Sequence, residues 1–216
     1  MIRKLIGIIG SLILIVPIST RAQDEPKWGF NIGAGFGVPV ASTSNFVHTG
    51  GNFVVGGGYR FGETIMVNGE FMWQGLPVNA DNVFQIGAFN AGSNLYATTG
   101  NLMIRTPRYK KFGGYAIGGG GWYRRTDTLS RTVIVPGTVC IPAWGWWVPI
   151  CDGGLVPAEQ VLAERTDNVF GANVGGGVTY RLTESGMNVY AEARFHYAPT
   201  KNVYTRVIPV TFGVRW

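Results

Sequence analysis

The chain has 216 residues and a formal net charge of +6, with 46% hydrophobic and 14% charged residues. The length suits one domain of ordinary size. The positive charge is small and scattered, which argues against nucleic-acid binding, because such proteins concentrate lysine and arginine on one face.

The first 22 residues have the layout of a secretory signal peptide. Arg3 and Lys4 precede an apolar run over 5–18, and Ala22 supplies a small residue before a cleavage point. The run is shorter than the roughly 20 apolar residues that a transmembrane helix needs. We therefore expect 1–22 to be removed on export, which takes away three bases and no acid and lowers the net charge from +6 to +3.

From residue 28 nearly to the end, apolar and polar residues alternate at the period of a β-strand. Eight segments follow this alternation, and each is long enough to cross a bilayer as a tilted strand, which takes roughly 9–11 residues. Short and long connections alternate between them, and the longest is 126–167. The segments are 28–38, 52–61, 65–75, 95–106, 112–125, 168–182, 187–197 and 206–216.

The two faces of these segments differ in kind. One face is apolar, as in Trp28, Phe30 and Ile32, whereas the other carries charges in mid-strand. A soluble ligand-carrying barrel would place the apolar face inside. Since the charged face has too few apolar residues to form a core, we expect it to line a lumen while the apolar face meets lipid. The glycines expected to point inward are Gly33, Gly35, Gly37, Gly56, Gly58, Gly118, Gly120, Gly175 and Gly177.

A sheet in lipid has to close, because each unpaired backbone amide there costs several kcal/mol. The final segment, VIPVTFGVRW, ends on an aromatic residue with apolar residues at alternate positions before it. Together with the eight segments and the alternating connections, this ending resembles the eight-stranded outer-membrane β-barrel family of OmpA/OmpX type, over 23–216.

The resemblance implies an all-β, antiparallel, up-and-down transmembrane barrel in a bacterial outer membrane, with both termini in the periplasm. It also implies that Val210, Phe212, Val214 and Trp216 form the signal that the barrel-assembly machinery reads. The expected partners in the membrane are the lipid bilayer and lipopolysaccharide. Arg125 and Arg206, predicted to face lipid at the outer strand ends, are the residues expected near lipopolysaccharide phosphates.

Charged residues are expected to cluster in the lumen and at one mouth. Glu70, Glu192 and Arg194 are expected to pair across the lumen as a polar plug. An eight-stranded barrel has an interior just wide enough for side chains, so a narrow pore for small solutes is the alternative. Four arginines at the short-connection strand ends are expected to form a cationic ring at the periplasmic mouth: Arg60, Arg105, Arg181 and Arg215.

The two cysteines flank the stretch CIPAWGWWVPIC in the longest connection. In an exported chain, Cys140 and Cys151 are expected to form a disulfide rather than a metal site. The resulting ring would present Trp144, Trp146 and Trp147 to an extracellular ligand whose identity the sequence does not name. The alternative is that these indoles pack on one another or on the barrel rim.

No spacing of residues indicates an enzyme, a cofactor or a metal. His196 and His48 have Asp127, Ser130 and Asp167 as conceivable partners, but nothing ties them into a catalytic triad. We therefore expect a non-enzymatic outer-membrane barrel that serves surface contact, adhesion or envelope integrity. A lipid-modifying enzyme of this membrane is the remaining alternative.

Overall fold

The computed structural model describes residues 27–79, 90–107, 109–143, 148–183, 186–202 and 204–216, so the expected signal peptide lies outside the described residues. A closed antiparallel barrel forms from eight strands in chain order, with β8 paired to β1. The strands are β1 (Trp28–Pro39), β2 (Gly50–Phe61), β3 (Ile65–Pro77), β4 (Asn90–Arg105), β5 (Phe112–Ala143), β6 (Val148–Arg181), β7 (Asn188–Ala198) and β8 (Thr205–Arg215). Among the described residues, no helix has the length and apolar character needed to span a membrane.

The outer face of the barrel is apolar, whereas the inner face carries buried polar and charged side chains as well as apolar ones. Trp28 and Phe212 on the outer face are 63% and 54% exposed, whereas Asn101 and Glu70 on the inner face are 2% and 4% exposed. Such an outer face is unfavourable in water, so the soluble ligand-carrying barrel is the wrong alternative. The two faces differ because successive side chains of a strand point to opposite faces of the sheet, so a period-two alternation separates polar from apolar residues.

The largest difference from the sequence-based expectation concerns the predicted connection 126–167. This stretch is mostly strand, since β5 continues to Ala143 and β6 begins at Val148. The register shifts between Leu129 and Ser130, and β-bulges of this kind occur at barrel rims, where they redirect a strand. Beyond that bulge the two strands leave the barrel together as one hairpin.

The inward and outward parity of β5 also differs from the expectation. Tyr115 and Tyr123 are buried, so the odd-numbered residues of β5 up to the rim face inward. Gly118 and Gly120 therefore face outward, and the prediction that they line the lumen is wrong. Gly119 takes an inward position instead, where a Cβ would come within 2.5 Å of the Asn101 side chain.

Two glycines on opposite faces provide a test of this packing. A Cβ at inward-facing Gly35 would lie 1.9 Å from the Val210 carbonyl oxygen, whereas a Cβ at Gly69 would meet nothing within 4 Å. Gly35→Ala is expected to lower the free energy of unfolding by about 1–3 kcal/mol, because overpacking forces the backbone to shift. Gly69→Ala is the matched control and is expected to be neutral. Urea unfolding in detergent micelles measures both, and equal stabilities would contradict the packing described here.

Candidate functional site

The centre of the lumen holds an ion-pair cluster formed by β3 and β7. Arg194 Nη1 lies 2.5 Å from Glu70 Oε2, and Arg194 Nε donates to Glu192 Oε1 at 3.0 Å. Side-chain exposure of the three residues is 7% or less. The structure therefore brings together the three residues expected to form a polar plug.

Neutral polar side chains complete the coordination of both carboxylates. Asn31 and Asn101 donate to the two Glu70 oxygens at 3.2 and 3.0 Å. Tyr115 donates its hydroxyl to Glu192 Oε2 at 2.9 Å. Buried charges are tolerated when each is paired and hydrogen-bonded, so this cluster is able to fill the lumen without leaving either carboxylate unpartnered.

Apolar side chains lie in the lumen on both sides of the ion-pair cluster. The layer toward the short turns is Met66, Met103, Tyr115 and Ile117. The layer on the other side is Val47, Val54, Met72, Leu76, Leu95, Ala97, Tyr123, Ala198 and Val207. Beside the ion pairs, a cavity of about 10 Å³ is lined by residues that include Thr99 and Thr211, which is space for about one water molecule.

The connection between β1 and β2 helps to close the barrel mouth that lies beside the apolar layer containing Val47. Val47 forms a β-bridge with Val78 and is 3% exposed. Thr43, in the short 3-10 helix Ala41–Asn45, donates its hydroxyl to the Tyr204 carbonyl at 2.8 Å. The same hydroxyl oxygen accepts from the Arg206 amide at 2.9 Å, so the connection is held against the entry to β8.

The four arginines expected at the opposite mouth are not equivalent. Arg215 reaches into the lumen, where its guanidinium lies 4.7 Å from the Tyr190 ring centroid and 4.9 Å from that of Tyr115. Its Nη2 is 4.0 Å from Glu192 Oε2, which joins it to the ion-pair cluster. Arg60 is also buried, whereas Arg105 and Arg181 are half-buried. Their action as a cationic ring stays a prediction.

The predicted lipid-facing position of Arg125 is wrong. Arg125 points inward, with Nε 2.9 Å from Asp127 Oδ1 and Nη1 3.2 Å from Thr205 Oγ1. Arg206 does face outward, and its guanidinium lies 5.6 Å from the Tyr197 and Tyr204 ring centroids. Of the two, only Arg206 lies on the outer face, and its contact with lipopolysaccharide stays a prediction.

The two histidines have different surroundings. His196 is buried and its Nδ1 lies 2.9 Å from the Tyr123 hydroxyl, whereas His48 is exposed on the first connection. Asp127 pairs with Arg125, and Asp167 pairs with Arg165 at 3.1 Å. Within the described ranges, no group of three or more histidine, cysteine, aspartate or glutamate residues could hold a metal ion.

The second candidate site is the part of the β5–β6 hairpin that projects from the barrel, here called the distal hairpin (131–143 and 148–161). Pairing of β4 with β5 ends at Ser130, and pairing of β7 with β6 ends at Ala172. The distal hairpin is closed by the expected disulfide, since Cys140 pairs directly with Cys151 and the two sulfurs are bonded. Trp144, Trp146 and Trp147 lie outside the described residues.

One face of the distal hairpin is apolar and open to solvent. Ile134 and Leu155 are 71% and 69% exposed, and they lie beside Pro157 and Pro136, their respective cross-strand partners. The opposite face carries the Val135–Val156 pair, which is half-buried. Sequence reasoning missed this surface, although the β-branched run TVIV is typical of a strand.

Comparisons with known proteins identify the same architecture. The family profile described as outer membrane protein beta-barrel domain matches residues 10–215. Neisserial surface protein A superposes with a TM-score of 0.57 at 13% identity, covering 88% of this chain and 96% of that chain. A major outer membrane protein from Thermus thermophilus superposes with a TM-score of 0.51 at 12% identity, covering 88% and 98%. No curated protein matches the sequence.

Proposed function

The chain belongs to the outer membrane β-barrel family, and from this premise we propose that it is a non-enzymatic anchor that presents the distal hairpin at the cell surface. In this proposal the hairpin contacts an extracellular ligand, and the end of the barrel with the short turns and both termini faces the periplasm. The single observation that carries the proposal is the hairpin itself, which extends far beyond the barrel and exposes an apolar face.

The construction of the distal hairpin supports a role in recognition. An isolated two-stranded ribbon is at best marginally stable in water, and the Cys140–Cys151 disulfide lowers the entropy of its unfolded form. Pro136 and Pro157 remove backbone donors, which discourages other strands from adding to its edges. A ligand would therefore bind to a face of the distal hairpin rather than to its edges. Rigid apolar and aromatic side chains contribute most of the binding energy in such interfaces.

The lumen supports a role as anchor better than a role as pore or enzyme. The ion pairs of Arg194 with Glu70 and Glu192 fill the middle of the barrel, and apolar layers lie on both sides of them. His196 is buried and forms a hydrogen bond with the Tyr123 hydroxyl, so a membrane lipid would have no access to it. A conducting lumen or a lipid-modifying site would require this packing to rearrange.

The proposal predicts that binding depends on one face of the distal hairpin. Ile134→Ser combined with Leu155→Ser is expected to reduce binding of purified barrels in nanodiscs to glycan and protein arrays by at least roughly 30-fold, the scale of losing hot-spot contacts. Trp146→Ser combined with Trp147→Ser is expected to act in the same direction. Heat resistance of the barrel in detergent should stay unchanged in both variants.

Val135→Ser combined with Val156→Ser is the matched control, because it makes the same chemical change at a directly paired position on the opposite face. Its binding is expected to stay close to that of the unmodified chain. If all three double variants retained full binding, recognition by the distal hairpin would be refuted. Loss of heat resistance in the tryptophan variant would indicate that those indoles pack instead.

A further inference from the structure

The turn between β4 and β5 carries two adjacent lysines at the barrel end opposite the distal hairpin. The Tyr109 amide donates to the Phe112 carbonyl at 2.9 Å, and the Phe112 amide donates back at 3.0 Å. Lys110 and Lys111 are therefore the two residues at the tip of a tight hairpin turn.

Lys110 occupies a backbone conformation that a lysine rarely adopts. Its φ angle is +55°, in the left-handed region that two-residue hairpin turns usually fill with glycine or asparagine. A residue with a side chain is disfavoured there, because its Cβ comes too close to the following carbonyl oxygen. Strained backbone of this kind clusters at ligand-binding and other functional sites.

Aromatic rings hold both ammonium groups at the outer side of the barrel rim. Lys110 Nζ lies 5.6 Å from the Tyr109 ring centroid, and Lys111 Nζ lies 6.0 Å from that of Tyr180. Tyr180 also packs against Phe112, with ring centroids 4.9 Å apart. Because Phe112 and Tyr180 belong to the outward-facing side of their strands, the ammonium groups lie beside the membrane rather than inside the barrel mouth.

Lys110 and Lys111 give this turn two positive charges. In the described part of the chain, no carboxylate forms an ion pair with Lys110 or Lys111. The Arg181 amide donates to the Lys111 carbonyl at 2.9 Å, which ties this turn to the end of β6. A cationic group beside exposed aromatic residues at a membrane interface is suited to a negatively charged headgroup.

We propose that Lys110 and Lys111 form a binding site for the phosphate of an anionic phospholipid headgroup. Tyr109, Phe112 and Tyr180 would lie against the glycerol and upper acyl region of that lipid, with the two ammonium groups at the level of its phosphate. This site is independent of the ligand of the distal hairpin. It also explains why lysine stands at a position where glycine would form the turn more easily.

The test compares lipid selectivity of the full chain in phosphatidylcholine vesicles that contain spin-labelled phosphatidylglycerol. Lys110→Gly combined with Lys111→Gln is expected to reduce the preference for phosphatidylglycerol by roughly five-fold for each lysine, the scale of one cation near an anionic surface. Lys110→Gly relieves the turn, so the variant barrel should be no less stable in urea. A loss of selectivity would then not reflect misfolding.

Arg131→Gln combined with Lys201→Gln removes two exposed cations outside this turn and is the charge-matched control. Unchanged selectivity in the lysine-turn variant, or an equal loss in the control, would overturn the proposal. A further arm adds inorganic phosphate to vesicles that contain spin-labelled phosphatidylglycerol. Full displacement of the lipid by millimolar phosphate would assign the site to a free anion instead, whereas persistence of the lipid preference supports a headgroup site.

Discussion

Replacing Arg194 with methionine is expected to lower the free energy of unfolding by about 3–5 kcal/mol, the cost of removing one partner from a buried ion pair. Arg194 contacts Glu70 and Glu192, whose side chains are 2% and 7% exposed. Without the guanidinium, the Glu70 and Glu192 carboxylates would remain in the lumen with no positive charge between them. Their desolvation and mutual repulsion would then oppose the folded barrel.

The experiment measures urea unfolding of the barrel in lipid vesicles. A triple variant with Glu70→Gln, Glu192→Gln and Arg194→Met is the control, because it removes the charges together and keeps the approximate side-chain volumes. Replacing a whole buried ion-pair group is often neutral, so the triple variant is expected to recover most of the stability. A single variant as stable as the unmodified chain would show that the lumen ion pairs add nothing to folding.

Val174→Arg is expected to lower the free energy of unfolding by about 2–4 kcal/mol, which is the cost of a charge on the lipid-facing surface near the bilayer midplane. Val174 is 62% exposed on the outer face of β6. The cost arises because the guanidinium would enter hydrocarbon, where it finds neither water nor an anion. The same unfolding measurement in vesicles detects this effect.

Leu155→Arg is the matched control for this prediction. Leu155 lies on the same strand and is similarly exposed, at 69%, but it belongs to the distal hairpin, beyond the barrel. A charge there is solvated, so the change in stability is expected to stay within roughly 0.5 kcal/mol, as for ordinary surface substitutions. Equal effects of the two substitutions would contradict the placement of the membrane around the barrel.

The sequence by itself determined the fold class, the number of strands and the nature of the two faces. Period-two alternation is a local property, and strands such as β1 and β8 start and end within one residue of their predicted bounds. The disulfide could also be predicted from the sequence, because the only two cysteines of an exported chain usually bond to each other. The inward orientation of Glu70, Glu192 and Arg194 also followed, since each stands on the polar side of an alternating segment.

Tertiary structure alone decided how far each strand extends and which residues meet across the barrel. The glycine run 118–121 carries no alternation, so the parity of β5, and with it the positions of Tyr123 and Arg125, depends on pairing with β4 and β6. Arg194 meets Glu70 across 124 residues of sequence. Such contacts depend on barrel closure and strand register, and a shift of one residue would turn every side chain to the other face. The distal hairpin likewise exists because its two strands pair with each other, which no local pattern within either strand could establish.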